Sequence, residues 1–306
     1  MSITRRHPLR YYSFLLMLAP GLILYAALIA YPFLSSIYLS FFKWPGIGPK
    51  VFVGFANYVN ILTGYMSHEF YPAFLHNLYF FALSWTLDII PGLVMALLLS
   101  TGLRGTNVFK TIAFMPNTLS IIIVGFLWGL LLNPQWGMVN QVLKVVGLGK
   151  LAQGWLGNQN IALTVIILVT TWRGIGFYII TFFAAILGLN RSMLEAARID
   201  GASEGQTIWR IILPQLLPII GTVTMLKVIW SFNVFDIVYA MEGTQGGPAA
   251  STDVLGTLFY RIAFGGLGSS QVGMGLGASV VTLIFLIVFP VSIFYVLVIE
   301  RRAQKG

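Results

Sequence analysis

The chain has 306 residues, of which 58% are hydrophobic and 9% charged, with a formal net charge of +9 and no cysteine. A soluble domain carries roughly 45–50% apolar and about 25% charged residues, so this chain cannot clothe a water-soluble surface, and its mean hydropathy of +0.86 points to lipid as the solvent. The missing cysteines exclude disulfide frameworks, thiolate metal sites and cysteine nucleophiles, and the positive charge reads as basic residues kept on one membrane face, not as a nucleic-acid surface.

Six apolar runs are long enough to cross the hydrocarbon layer as helices, which takes about 20 residues each. The first, about 12–42, is interrupted by Pro20 and Pro32. It is too long for a cleaved signal peptide, and no small-residue cleavage site follows it. The second, about 78–100, carries Asp88 and Pro91-Gly92; the third is about 111–132. The fourth, about 161–189, carries Arg173. After a loop at 190–215 comes the fifth, about 216–241, with Lys227 and Asp236, and then the sixth, about 272–299.

Lys and Arg divide unevenly between the loops. Arg5, Arg6, Arg10, Arg104, Lys110, Arg191, Arg198, Arg210, Arg301, Arg302 and Lys305 fall on one side; Lys43, Lys50, Lys144, Lys150 and Arg261 fall on the other, over longer loops. The positive-inside rule then predicts that both termini and the 190–215 loop are cytoplasmic, in agreement with an even number of spans. The fold class expected is all-α, a single polytopic membrane domain over 1–306 with six transmembrane helices. His7, His68 and His76 lie outside the apolar runs and have no metal-ligand spacing.

The 190–215 loop holds three of the nine acids. It reads as a short helix over 192–199, a turn at Asp200-Gly201, and a second short helix to Ile212. Pro214 suits the first turn of the next helix, where its missing N–H loses nothing. Ala196, Ala197, Ala202 and Ser203 are small enough for another surface to approach closely. The loop has the shape of a knob for a cytoplasmic partner.

The spacing Glu195-Ala196-Ala197, three residues, Gly201, nine residues, Ile211, one residue, Leu213-Pro214 resembles the EAA loop of ABC importer permeases. Trp128-Gly129 with Leu132-Asn133-Pro134, the segments Trp172-Arg173-Gly174-Ile175-Gly176-Phe177-Tyr178 and Ile229-Trp230-Ser231-Phe232-Asn233-Val234-Phe235-Asp236, and Gly246-Gly247-Pro248 ahead of Tyr260-Arg261 resemble the carbohydrate, maltose-type branch. The first span and Phe41-Phe42-Lys43-Trp44 are more similar to the first permease of such pairs than to the second. One departure is the 133–160 loop, which holds nothing like the large periplasmic insert of the maltose permease.

This resemblance implies an ABC type I importer architecture in the plasma (inner) membrane of a bacterium or archaeon. Its implied partners are a second homologous permease completing a heterodimeric pore, two copies of a cytoplasmic ATPase, and an extracytoplasmic solute-binding protein. Glu195 and Asp200 would make the polar contacts of a coupling helix, with Ala196, Ala197 and Ala202 beside them. Gly201 would set the turn, and Leu213-Pro214 would tie the helix to the fifth span. The chain itself is expected to bind no cofactor and to catalyse no reaction. ATP and Mg would sit on the partner ATPase, since the chain has no G-x-x-x-x-G-K-[S/T] phosphate loop and Gly147-Leu148-Gly149-Lys150 has the wrong spacing.

Charges at bilayer depth usually face a cavity or a partner. Lys227 lies 13 residues beyond Pro214, about 20 Å along a helix. Arg173 lies 12 residues in from Ile161, about 18 Å, so the two share a depth. The resemblance carries the sugar contacts of the maltose-type permease onto Thr170, Arg173, Gly174 and Phe177, and onto Lys227, Ser231 and Val234. On helical spacing, Lys227, Ser231 and Val234 share one face while Asn233 and Asp236 share another. Pairing of Arg173 or Lys227 with a carboxylate of the partner permease is the competing role for these cations, and Asp88 is expected to pair across helices. Two cations also leave open an anionic solute, such as a glycerol phosphate or a uronide, in place of a neutral sugar. An ion-coupled secondary transporter would share the composition, but would tend to show inverted repeats and several midplane acids. Gly125-x-x-x-Gly129 and Gly273-x-x-x-Gly277 permit close helix contact, within the subunit or with the partner.

Overall fold

The structure, a computed structural model, describes residues 8–265 and 273–300. His7, Arg5, Arg6, Arg301, Arg302 and Lys305, and the first residue of the sixth expected run, lie outside the described residues. Among the described residues, five helices are long and apolar enough to cross a membrane, and a bent pair makes a sixth. This is the expected all-α polytopic architecture, because in lipid each span must bond its own backbone N–H and C=O groups.

Helix α1 (Pro8–Tyr25) passes through one π turn (Ala26–Ala30) into α2 (Tyr31–Leu39). The first run therefore ends at Leu39 and not at residue 42. Phe42 belongs to β1 (Phe42–Lys43), which pairs antiparallel with β2 (Val51–Phe52). Leu16–Leu39 buries none of its length inside the chain. It leans on the last span, with Phe33 edge-on to Phe285 at 4.9 Å.

After α3 (Ala56–Leu62) comes α4 (Ser67–Ser100), which starts eleven residues before the expected 78. Its 34 residues reach about 51 Å, well beyond a hydrocarbon core of about 30 Å. The extra turns carry His68, Glu69 and His76, and hydropathy gives no signal there.

The third run is not one straight span. Helix α5 (Thr106–Phe114) and a 3-10 turn (Met115–Thr118) meet α6 (Ile121–Leu131) at 95°. Leu119 and Ser120 are extended at the corner, which frees backbone carbonyls that a straight helix would have bonded. Helices α7 (Met138–Val145) and α8 (Ala162–Leu187) follow, the latter within two residues of its expected bounds.

Helix α9 (Arg191–Ile199) precedes α10 (Glu204–Thr207), a π turn (Ile208–Ile212) and α11 (Leu213–Phe232). The expected separate helix and re-entry at Pro214 are here one helix, Glu204–Phe232. The π turn ends two residues before Pro214, whose ring would crowd the preceding turn of a regular α-helix. At the other end the fifth run breaks at Asn233, so α12 (Asp236–Glu242) is a separate helix. Helices α13 (Leu255–Phe264) and α14 (Met274–Phe294) complete the chain, and α14 closes in a π turn (Tyr295–Glu300).

Helix α4 is the spine, with side chains in three buried apolar clusters. Near its start Phe70 and Ala73 pack with Phe232, Leu258 and Val280. Midway Phe80 meets Val124, Ile166 and Ile237. Towards its end Ile89 and Ala96 meet Tyr178, Phe182 and Leu216. One glycine of each motif makes a close contact within the subunit: a Cβ on Gly125 would collide with Ala240, and one on Gly277 with Ala263, whereas one on Gly129 would meet nothing within 4 Å.

Candidate functional site

The 190–215 loop is held by local chemistry legible residue by residue. Asn190 caps α9, its side chain accepting from the Ser192 N–H at 3.0 Å. At the other end Gly201 has φ +75°, the Ala202 N–H donates to Ala197 O at 2.9 Å, and the Gly201 N–H donates to Arg198 O at 3.1 Å. These are the two bonds of a Schellman cap, which a residue in left-handed conformation closes. Ser203 then starts α10 through a capping box with Gln206, the two bonds being 2.8 and 3.3 Å. Asp200-Gly201-Ala202-Ser203 is thus a stop and a start back to back.

Glu195, Ala196 and Asp200 face outward, with Ile199 86% exposed. Ala197 does not share that face as expected: it is buried within the chain, because α9 needs a small residue where it lies on the spans. Trp209, 75% exposed, stands on the adjoining turn. Leu213 is half-buried and Pro214 exposed, both inside the continuous helix.

All seven residues assigned to a solute pathway line one cavity of about 350 Å³. Helix α8 contributes Thr170, Arg173, Gly174 and Phe177; α11 contributes Lys227 and Ser231; and Val234 lies in the break after it. Asn233 and Asp236 line the same cavity and not a separate face, because the chain turns at Asn233. Phe80, Asn117, Tyr178 and Trp230 also line it. They were not singled out from the sequence.

The two cations have partners within this chain. Lys227 is buried and forms an ion pair with Asp88 on α4. Its ammonium also stands 5.6 Å from the Tyr178 ring. The expected cross-helix pairing of Asp88 is therefore present, and Lys227 does not await a carboxylate from another subunit. Arg173 donates to Leu119 O at 3.0 Å and Asn117 O at 3.3 Å, satisfying carbonyls released where α5 and α6 bend. With Asp88 and Asp236 against Arg173 and Lys227, formal charge in the cavity balances. Two buried hydroxyls, of Tyr178 and Ser231, have no hydrogen-bond partner among the described residues. Buried polar atoms are rarely left this way, so the wall has hydrogen-bonding capacity to offer a solute. Phe177 and Trp230, 5.8 Å apart edge to face, add aromatic surface.

A Cβ on Gly174 would meet nothing within 4 Å, although Gly174 lines the cavity. Gly174→Leu is expected to leave thermal stability nearly unchanged and to cut uptake at least about tenfold, the equivalent of 1.4 kcal/mol. Wild-type uptake by a stable Gly174→Leu chain would remove this cavity from the pathway.

The end of the bundle away from the loop is fixed by polar clamps. Asn77 is fully buried; its side chain donates to Ser231 O at 2.6 Å and accepts from the Leu255 N–H at 2.8 Å. It joins α4, α11 and α13 beside the cavity. Arg261 binds both oxygens of Asp253 and reaches Glu69 at 2.8 Å. Burial opposes its charge, yet its hydrogen bonds and charge contacts to Asp253 and Glu69 outweigh that and raise its pKa.

Glu242, at the end of α12, is pushed up by burial to about 7. Its folded-state value thus lies above the ordinary 4.5, and the folded chain keeps a proton that the unfolded chain releases. That stabilisation is complete below about pH 4.5 and is lost as pH rises through about 7. Glu242→Gln should remove this loss, flattening the melting temperature between about pH 5 and 8. An unchanged pH profile in the variant would contradict the assignment.

A bundle with an interrupted span, a polar and aromatic cavity walled by α4, α8 and α11, and a small helical knob continuous with one cavity wall is the arrangement of a membrane permease. Residues 61–304 match the family described as binding-protein-dependent transport system inner membrane component. The chain belongs to that family and is a permease subunit of the ABC importer type. It is 28% identical over 281 residues to the probable ABC transporter permease protein YurN of Bacillus subtilis (strain 168), covering 91% of this chain and 92% of that one. It is 30% identical over 277 residues to the trehalose/maltose transport system permease protein MalF of Thermococcus litoralis, covering 90% of each. In fold it matches a chain of a bacterial alginate ABC transporter crystallised with an alginate pentasaccharide-bound periplasmic protein, with a TM-score of 0.79, 23% identity and 96% of each chain covered.

Proposed function

We propose that this chain forms half of the pore of an ATP-driven carbohydrate importer and is driven through its 190–215 loop. The observation that carries this reading is the continuity of Glu204–Phe232: one helix runs from the knob to Lys227 and Ser231 in the cavity wall. Such a helix spans about 43 Å at 1.5 Å per residue, so a push on the knob displaces the cavity wall as a rigid body. The knob is cytoplasmic, as are both termini, and the solute enters at the opposite end.

The occupant is a neutral sugar or polyol. Balanced charge, unpartnered hydroxyls and aromatic rings suit a polyhydroxylated ligand, and they do not favour an anion. The MalF relative, named for trehalose and maltose transport, supports the same class. A second homologous permease closes the other half of the pore, two ATPase subunits receive the coupling helices, and a solute-binding protein delivers the sugar. ATP and Mg reside on the ATPase.

Uptake by proteoliposomes holding the assembled importer tests this directly. Labelled neutral oligosaccharides and polyols should enter in an ATP-dependent manner, whereas a glycerol phosphate or a uronide should not. Preferential uptake of the anions would overturn the substrate class.

A further inference from the structure

We infer that a cleft behind the coupling helix binds an anionic glycerophospholipid of the inner leaflet. The cleft, of about 420 Å³, lies where α4 and α8 end against α9 and the start of the α10–α11 helix. Its floor is apolar, built by Leu97, Ile186, Leu194, Ile208 and Ile212, which also belong to the buried cluster under the loop. Its rim carries Arg191 and Arg198, seven residues apart and so on one face of α9.

Neither guanidinium makes an ion pair or hydrogen bond among the described residues. Glu204 stands on the same rim and pairs with neither, so the rim keeps one net positive charge, the complement of a single phosphodiester. Arginine suits that group because its planar fork matches phosphate oxygens. A soluble phosphate would satisfy the rim but leave the floor wet; an acyl chain covers the floor, since hydrophobic burial is what apolar surface gains from contact.

The position adds to the case. Ser100 and Leu187 are the last residues of their spans, so the cleft opens at the level of the headgroups. Anionic lipid of the inner leaflet attracts basic segments at that level. Placing the cleft in the inner leaflet rests on the orientation proposed above. A lipid seated there wedges between coupling helix and spans and stiffens the route by which the knob moves the cavity wall.

Lipid retention, not transport, is the test, so its failure is separable from failure of the importer reading. The full chain is purified in micelles containing equal amounts of phosphatidylglycerol and phosphatidylcholine, and bound lipid is measured by native mass spectrometry. Wild type should retain phosphatidylglycerol preferentially. The double variant Arg191→Gln/Arg198→Gln should lose at least threefold of that retention, while Arg210→Gln, outside the cleft, should keep it. Equal retention by the double variant, equal retention of phosphatidylcholine, or displacement of the lipid by inorganic phosphate would each overturn the proposal. So would complete loss of the lipid when the ATPase binds, which would assign the arginines to that protein.

Discussion

Gly201→Val is expected to abolish ATP-driven uptake while leaving membrane insertion intact. Gly201 holds φ +75°, a region that a β-branched residue enters only as an outlier. No neighbour lies within 4 Å of its would-be Cβ, so the penalty is conformational strain, not collision. Relief of that strain breaks the Ala202–Ala197 and Gly201–Arg198 bonds and swings α9 away from the capping box at Ser203. Glu195, Ala196 and Asp200 then no longer present one surface. The loop enters only the cluster at the end of α4, through Leu194, Ile208 and Ile212, and Gly201 belongs to none of the three clusters, so the spans still assemble. Gly201→Ala, costing about 1–2 kcal/mol in the same conformation, should show a partial defect. Uptake and ATPase stimulation, normalised to chain in the membrane, are the readouts. Full coupling by Gly201→Val would show that this turn does not transmit force.

Lys227→Ala should damage both stability and uptake, and a second substitution separates the two. It leaves Asp88 buried without its cation. Removing one partner of a buried pair typically costs about 3–5 kcal/mol, whereas replacing both by apolar residues is often neutral. The double variant Asp88→Leu/Lys227→Met is thus expected to recover the melting temperature lost by Lys227→Ala. Its uptake should stay at least about tenfold below wild type, or 1.4 kcal/mol, because the polar wall is gone. Recovery of uptake together with stability would make the pair purely structural and remove Lys227 from the solute pathway.

The spacing of charges and small residues carried more of this molecule than hydropathy did. The stop and start at Gly201 and Ser203 follow from residue types that leave the backbone few alternatives, so the turn was legible. The convergence of α8 and α11 residues on one cavity was legible through the resemblance to maltose-type permeases, which carried the contacts onto these residues, while helical spacing alone gave only the shared face of Lys227 and Ser231. The bend between α5 and α6 was not, since a hydropathy average passes over Pro116-Asn117-Thr118 even though these are turn formers. Arg173 was the clue: a guanidinium at that depth needs acceptors, and the bend supplies carbonyls. The break at Asn233 escaped for the same reason, and it moved Asp236 from an expected second face into the cavity. Tyr178 and Trp230 stand in the segments that resemble the carbohydrate branch, but gave no sign of a cavity role because an aromatic residue in an apolar run reads as packing. The partner of Asp88 lies 139 residues away, a distance at which no local pattern operates.

The most direct measurement of the central claim is solute uptake by proteoliposomes containing this chain with and without its ATPase and second permease. Uptake should require the full assembly and ATP, persist when ion gradients are collapsed, and disappear with Glu195→Lys in the coupling helix. Uptake by this chain alone, driven by an ion gradient without the ATPase, would contradict the account.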